Sequence, residues 1–235
     1  MKSSCASWPG CCMAEPVIVT LDGPAGVGKS TLAKMLAGRL GLAYLDTGAM
    51  FRAVGFLLGP GSWDWPEERL AARLEGFRFG LEGAGARTRL TVDGRALGPE
   101  IRTEDVGMWA SNVAKLPVVR AFLKKAQQDL ARGTSLVAEG RDMGSVVFPA
   151  ARHKFFLDAD PAERARRRFL QLQELGRPAD LAELTAQIEA RDRQDRTRAE
   201  APLKPAPDAL IVDTTDLDLE EVFEHILEAI ITKAD

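Results

Sequence analysis

The chain has 235 residues, 46% hydrophobic and 28% charged, with 21 Gly and 13 Pro. That composition excludes disorder, collagen and coiled coil, and the length suits one large α/β domain with insertions. Thirty-one basic and thirty-four acidic side chains give a net charge of −3, so no nucleic-acid partner is expected and any basic site must be local.

Cys5, Cys11 and Cys12 all precede residue 13, which leaves no disulfide for the folded body. The same opening lacks the apolar stretch of an export signal, and no later run has the length of a membrane span, so no membrane partner is expected and the expected setting is the cytoplasm. Residues 1–13 read as an unstructured leader and 14–235 as a single domain. From Pro16, PVIVTL is a short β-branched run suited to a strand buried on both faces. A glycine-rich break follows, then KSTLAKMLAGRL (29–40), with Leu32, Met35, Leu36 and Leu40 on one helical face. LAYLD (42–46) predicts a strand and Ala49–Leu58 a helix. Trp63–Arg95 alternates apolar and polar residues around an Asp93-Gly94 turn, which predicts a small antiparallel insertion. Further buried strands are expected at Ser135–Ala138, Lys154–Leu157 and Ala209–Val212, with a helix at Leu219–Ile231. Pro161–Asp180 predicts a helical hairpin carrying Arg164, Arg166, Arg167 and Arg168. Strands alternating with helices predict a doubly wound parallel sheet.

Gly23, Pro24, Ala25, Gly26, Val27, Gly28, Lys29 and Ser30 fit G-x-x-x-x-G-K-[ST], the P-loop, and lie between a buried strand and an amphipathic helix as that mechanism requires. Glycines let successive N–H groups face phosphate oxygens, Lys29 reaches the β- and γ-phosphates, and Ser30 is the candidate Mg²⁺ ligand. A guanine reader of the N-K-x-D type is absent, and the charge balance does not suit a helicase or motor. Arginine beside carboxylate at strand ends suits a second phosphorylated substrate. Asp46-Thr47-Gly48 precedes Arg52 by about one helical turn, so Thr47 is a candidate cap and Arg52 an anion grip. Glu139-Gly140-Arg141-Asp142 ends a buried strand, where ligands of α/β sheets gather. Arg191, Asp195 and Arg198 share one helical face. An alcohol kinase would need a carboxylate base, for which Asp46 or Asp142 is available, whereas transfer to an ionised phosphate needs none. His153 and His225 are expected to be bystanders.

GPAGVGKST, YLDTGAMFR, IRTEDVGMWAS, EGRDMGSVVFP and RDRQDRTRAEAPLKPAPDAL together resemble the bacterial cytidylate kinases, from about Val17 to the C-terminal helix. The resemblance implies a five-stranded parallel sheet with helices on both faces, an NMP-binding region about 47–120 enlarged by an antiparallel insert, and a short helical lid about 161–180. It implies transfer of phosphate from ATP to CMP or dCMP, with Mg²⁺, by a monomer. Residue by residue, it implies that Gly23 to Thr31 hold ATP, and that Arg52 and Arg141 hold the acceptor phosphate with support from Thr47. Ser111, Arg120, Asp142 and Arg198 would meet cytosine, Arg191 and Asp195 the sugar, and Arg167 and Arg168 the ATP phosphates. Lys29, Arg141, Arg167 and Arg168 form the implied catalytic set. Phe51, where Tyr is frequent, keeps a stacking surface without the hydroxyl, and Glu139 and Gln194 are further departures.

Overall fold

The structure, a computed structural model, describes residues 16–232, so the leader expected over 1–13 lies outside the described residues. β1 (Ile18–Asp22) is the middle strand of a sheet ordered β2-β6-β1-β7-β8, with β2 at Ala43–Asp46, β6 at Leu136–Gly140, β7 at His153–Asp158 and β8 at Leu210–Asp213. All four pairings are parallel, as expected.

Alternation along the strands explains why helices cover both faces. On β6, Leu136 and Ala138 join one apolar cluster and Val137 the other. The Val137 side also takes Val19, Leu21, Phe155 and Leu157, and is closed by α1 (Lys29–Leu40) and α8 (Leu219–Thr232). The Leu136 side packs on α2 (Thr47–Leu58) and α5 (Pro117–Leu130) through Met50, Val54, Val119 and Leu123. Because successive side chains of a strand point to opposite faces, a run of unbroken apolar residues serves two cores at once.

Register brings carboxylates to one rim. Asp22 lies opposite Gly140, and Asp46 opposite Glu139, so Asp22, Asp46 and Glu139 end adjacent strands at their carboxyl ends. That is where a doubly wound sheet opens its ligand crevice.

The insertion departs from the purely antiparallel expectation. α3 (Glu67–Leu74) precedes its strands, with Leu70 and Leu74 buried at i,i+4 and Glu67, Glu68, Arg69 and Arg73 charged around them. Two apolar anchors suffice to hold a helix this short against the core, and so small a periodic signal was outweighed by the alternation that follows it. β3 (Phe79–Glu82), β4 (Arg89–Val92) and β5 (Arg95–Ala96) form the expected small antiparallel sheet. Asp93 and Gly94 both have positive φ, 52° and 74°, as a two-residue type I′ turn demands. α4 (Glu104–Val113) lies against α2.

The helical hairpin expected at 161–180 is longer than its sequence signal. α6 (Pro161–Glu174) starts at Asp160, which accepts from the Ala162 and Glu163 N–H groups, and the second arm α7 runs over Leu181–Thr197. The face bearing Arg191 and Asp195 is therefore part of the hairpin itself.

Candidate active site

The strand ends, α2, α4, the hairpin and the loop between β8 and α8 surround a cavity of about 1320 Å³, larger than a single drug-sized pocket. Every residue of the glycine loop from Ala25 to Thr31 lines it, as do Thr47, Phe51, Arg52, Ser111, Arg120, Arg141, Asp142, Arg167, Arg168, Arg191, Asp195 and Arg198. Residues far apart in the chain are thus brought together as the sequence motifs require. His153 is buried at the start of β7 and His225 is exposed on α8, and neither faces the cavity.

At the glycine loop, Gly23 must lack a Cβ, since one built there would stand 2.0 Å from the Leu157 carbonyl oxygen. Lys29 is not an exposed loop cation. It is 6% exposed, its Nζ donates to the Pro24 carbonyl at 2.5 Å, and burial, with Arg141 nearby, holds its amine well below the usual lysine value. Ser30 Oγ donates to Glu139 Oε2 at 2.8 Å, and the Tyr44 hydroxyl donates to the other Glu139 oxygen. Burial and the Asp46 charge push the Glu139 carboxyl upward. A hydroxyl beside a strand-end carboxylate is an all-oxygen donor set that fits Mg²⁺, which takes one or two protein ligands and completes its shell with phosphates and water. The sequence alone offers only Ser30 as a candidate Mg²⁺ ligand. A carboxylate closing an apolar strand was the available signal for Glu139, whereas nothing in sequence marked Tyr44.

The capping role expected of Thr47 belongs to Asp46, whose Oδ1 accepts from the Ala49 N–H at 2.8 Å. Thr47 is the first helical residue and donates to the Glu139 carbonyl at 2.6 Å, so it joins β6 to α2. Arg102 pairs with Asp46 at 3.1 Å. Arg52 donates to the carbonyls of Ile101 and Thr103, at 3.2 Å each. Arg141 pairs through Nε with Asp195 at 2.9 Å. Arg191 is pulled below the ordinary arginine value by burial, then by Arg141, and Arg52 adds to this. Lys29 is depressed in turn by both Arg141 and Arg191. Cations from the glycine loop, α2, the turn after β6 and α7 therefore press on one another.

Arg120, Asp142 and Arg198 gather at another part of the cavity, joined to Arg141 through Asp195. Asp142 is 5% exposed, bonded to Arg120, with Arg198 Nη2 at 3.9 Å. Burial raises its carboxyl above the ordinary value while Arg120, Arg198 and Arg141 oppose that rise. Arg120 lies over the Phe51 ring at 5.7 Å from its centre, within reach of a cation–π contact, and Phe51 lines the cavity. Arg198 Nη2 is buried without a hydrogen-bond partner, which is costly for a charged donor unless a ligand completes it.

Asp22 was missed by sequence reasoning. Its two oxygens accept from the N–H groups of Met143 and Gly144, at 2.8 Å each, and so fix the turn directly after Asp142. On α6, Arg167 bonds Glu163 at 3.0 Å and the Thr214 carbonyl at 2.5 Å, and Arg168 bonds Gln171 at 2.6 Å. Arg164, grouped by sequence with these arginines, is instead fully buried and outside the cavity lining.

A doubly wound sheet, a glycine loop at the central strand and a second cationic pocket across the same crevice define a P-loop kinase. The family model described as cytidylate kinase matches residues 19–232. A cytidylate kinase of Maridesulfovibrio salexigens is 60% identical over 92% of this chain and 96% of its own length, and one of Lawsonia intracellularis is 42% identical over 93% and 97%. The chain belongs to the cytidylate kinase family. Among solved structures, a shikimate kinase from Bacteroides thetaiotaomicron aligns over 91% of this chain and 96% of its own, with 16% identity and a TM-score of 0.44.

Proposed function

We propose that this protein transfers the γ-phosphoryl group of ATP to CMP or dCMP, forming ADP and the corresponding diphosphate. The observation that carries the chemistry is the set of mutually repelling cations, Lys29, Arg52, Arg141 and Arg191, gathered around one cleft. Such a set is unfavourable alone and becomes favourable when phosphates enter it.

The Gly23 to Thr31 loop seats the donor triphosphate, with its N–H groups and Lys29 on the phosphate oxygens. Arg52 and Arg141 orient the acceptor phosphate, while Arg191 and Asp195 take the sugar. Ser111, Arg120, Asp142 and Arg198 read the base, and Phe51 offers it a flat face. Arg167 and Arg168 approach the triphosphate from α6. An acceptor oxygen then forms a bond to the γ-phosphorus as the bond to the β,γ-bridging oxygen breaks and ADP departs. Because the acceptor oxygen is already ionised, positioning and charge neutralisation supply the catalysis and no side chain need remove a proton. Mg²⁺, held by Ser30 with Glu139 behind it, would neutralise charge on the β- and γ-phosphates when bound. Asp46 caps α2 and Asp142 is held by Arg120, so neither carboxylate is poised as the base that an alcohol acceptor requires.

The region 47–120 is the acceptor-binding part of a single domain, and the hairpin from residue 161 is its lid. Among the described residues no helix is long and apolar enough to cross a membrane. A coupled assay of ADP release with CMP, dCMP, UMP and AMP tests the function. Turnover with the cytosine nucleotides well above the others is expected, and equal turnover with all four would refute the assignment of the base pocket.

A further inference from the structure

Arg166, Arg167 and Arg168 lie at the surface or face the cavity, but Arg164 on the same helix is 1% exposed. Its guanidinium joins three parts of the molecule. Nε donates to the Ala159 carbonyl at 2.9 Å, at the base of α6. Nη1 donates to the Ala25 carbonyl of the glycine loop at 3.1 Å. Nη1 and Nη2 together grip both oxygens of Asp192 on α7, at 3.1 and 2.5 Å. A second contact joins the same partners, because Gly26, with φ +87°, packs so closely that a Cβ there would stand 3.2 Å from Arg164 Cβ.

The Ala25 contact has a directional consequence. In a planar trans peptide the C=O and the following N–H point in opposite directions. Holding the Ala25 carbonyl toward Arg164 therefore turns the Gly26 N–H away from it, and Gly26 lines the cavity. Asp192, the other end of the clamp, directly follows Arg191 and stands one turn before Asp195.

We propose that Arg164 is a positioning residue for phosphoryl transfer: by joining the Ala25 carbonyl to Asp192 it sets the orientation of the Ala25–Gly26 peptide and ties it to the helix that carries Arg191 and Asp195. Donor loop and acceptor pocket are thereby held in one geometry. The inference rests on the glycine loop being the triphosphate cradle. A buried guanidinium suits the task because its planar fork serves a carboxylate and two carbonyls at once, whereas an ammonium is a point donor.

Removing Arg164 alone would strand a buried carboxylate and confuse folding with function. The decisive protein is the double variant Arg164→Met with Asp192→Val, in which apolar side chains of similar total volume replace the ion pair while the Ala25 link is lost. Its melting temperature is expected to stay close to that of the parent, while ATP affinity by calorimetry and kcat each fall at least about tenfold. A folded double variant with ATP affinity and kcat within about twofold of the parent would show that the pair only packs, and would overturn the proposal. If the double variant does not fold, Arg164→Lys decides. Its charge still serves Asp192, so it is expected to melt normally yet lose ATP affinity and kcat, and parental values for both overturn the proposal. ATP calorimetry needs no acceptor, so it still decides the role of Arg164 if the parent fails to turn over CMP, a result that would refute only the acceptor assignment.

Discussion

Replacing Asp22 by Asn separates a buried charge from the shape that carries it. Asp22 is 4% exposed, and burial raises its carboxyl from the ordinary 3.8 to about 6. The Gly144 and Met143 N–H groups pull it down, Asp142 pushes it up, and Lys29 opposes Asp142. A carboxyl whose folded value lies above its unfolded value binds more protons when folded, so this group's contribution to stability falls as pH rises from 3.8 to about 6 and is constant beyond. At 1.36 kcal/mol per pH unit the whole effect is about 3 kcal/mol, of which about 2 kcal/mol develops between pH 4.5 and 8. Asn titrates nowhere in this range. Urea denaturation of parent and Asp22→Asn across that interval is therefore expected to show the variant gaining about 2 kcal/mol on the parent as pH rises. The Asn oxygen can serve only one of the two N–H groups, so the turn after Asp142 loosens and kcat/KM for CMP falls even where stability does not. A stability difference that stays flat with pH would refute the account of Asp22 as a buried charge.

Lys29→Ala is expected to lower phosphoryl transfer by about 10²–10³ or more, with a melting temperature unchanged or raised, because burial already disfavours the amine. CMP-dependent ADP release and a thermal melt measure both, and near-normal turnover would remove the loop from the donor site. Arg120→Lys keeps a charge beside Asp142 but loses the planar fork that also reaches the Ala114 carbonyl at 3.4 Å. Steady-state kinetics are expected to give a KM for CMP about tenfold higher with KM for ATP unchanged, and a rise in both would mean a general disturbance of the cleft.

The parallel sheet was legible because each strand is a short, largely apolar run closed by a glycine or a carboxylate, a local pattern that needs no tertiary knowledge. The glycine loop was legible for the same reason, since its chemistry fixes residue type at fixed spacing. Glu139, Asp22 and Arg164 were harder. Each is defined by a partner more than 25 positions away: Ser30 for Glu139, Gly144 for Asp22, Asp192 for Arg164. An arginine in a run of arginines gives no sign in sequence of whether it faces water or the interior, because helical rotation of 100° per residue sends neighbours to different surroundings. The exchange of capping from Thr47 to Asp46 is subtler, because both residue types favour the position and only the hydrogen bond of Thr47 to β6 decides between them.

Base discrimination rests on what a carboxylate can and cannot accept. Cytosine presents an exocyclic amine where uracil presents a carbonyl, so a carboxylate aimed at that edge gains a hydrogen bond from the first and meets lone pairs on the second. Asp142 is buried, held in place by Arg120, and raised toward protonation by that burial, so few waters remain to compensate a mismatched base. A hydrogen bond to a charged group is worth about 1.5–3 kcal/mol, hence about 10–100-fold in kcat/KM. Asp142→Asn can present its oxygen to cytosine or its amine to uracil, so it is expected to lose about that factor with CMP while UMP holds steady or improves, narrowing the ratio of the two. KM for ATP should hardly move, since Asp142 is bonded to Arg120, whereas Lys29 is held by Pro24 and Ser30 by Glu139. Measuring both acceptors at saturating ATP distinguishes two roles for this carboxylate. Equal loss with CMP and UMP would mean that Asp142 serves to hold Arg120 and Arg198, and that the base is read by those arginines and Ser111 without it.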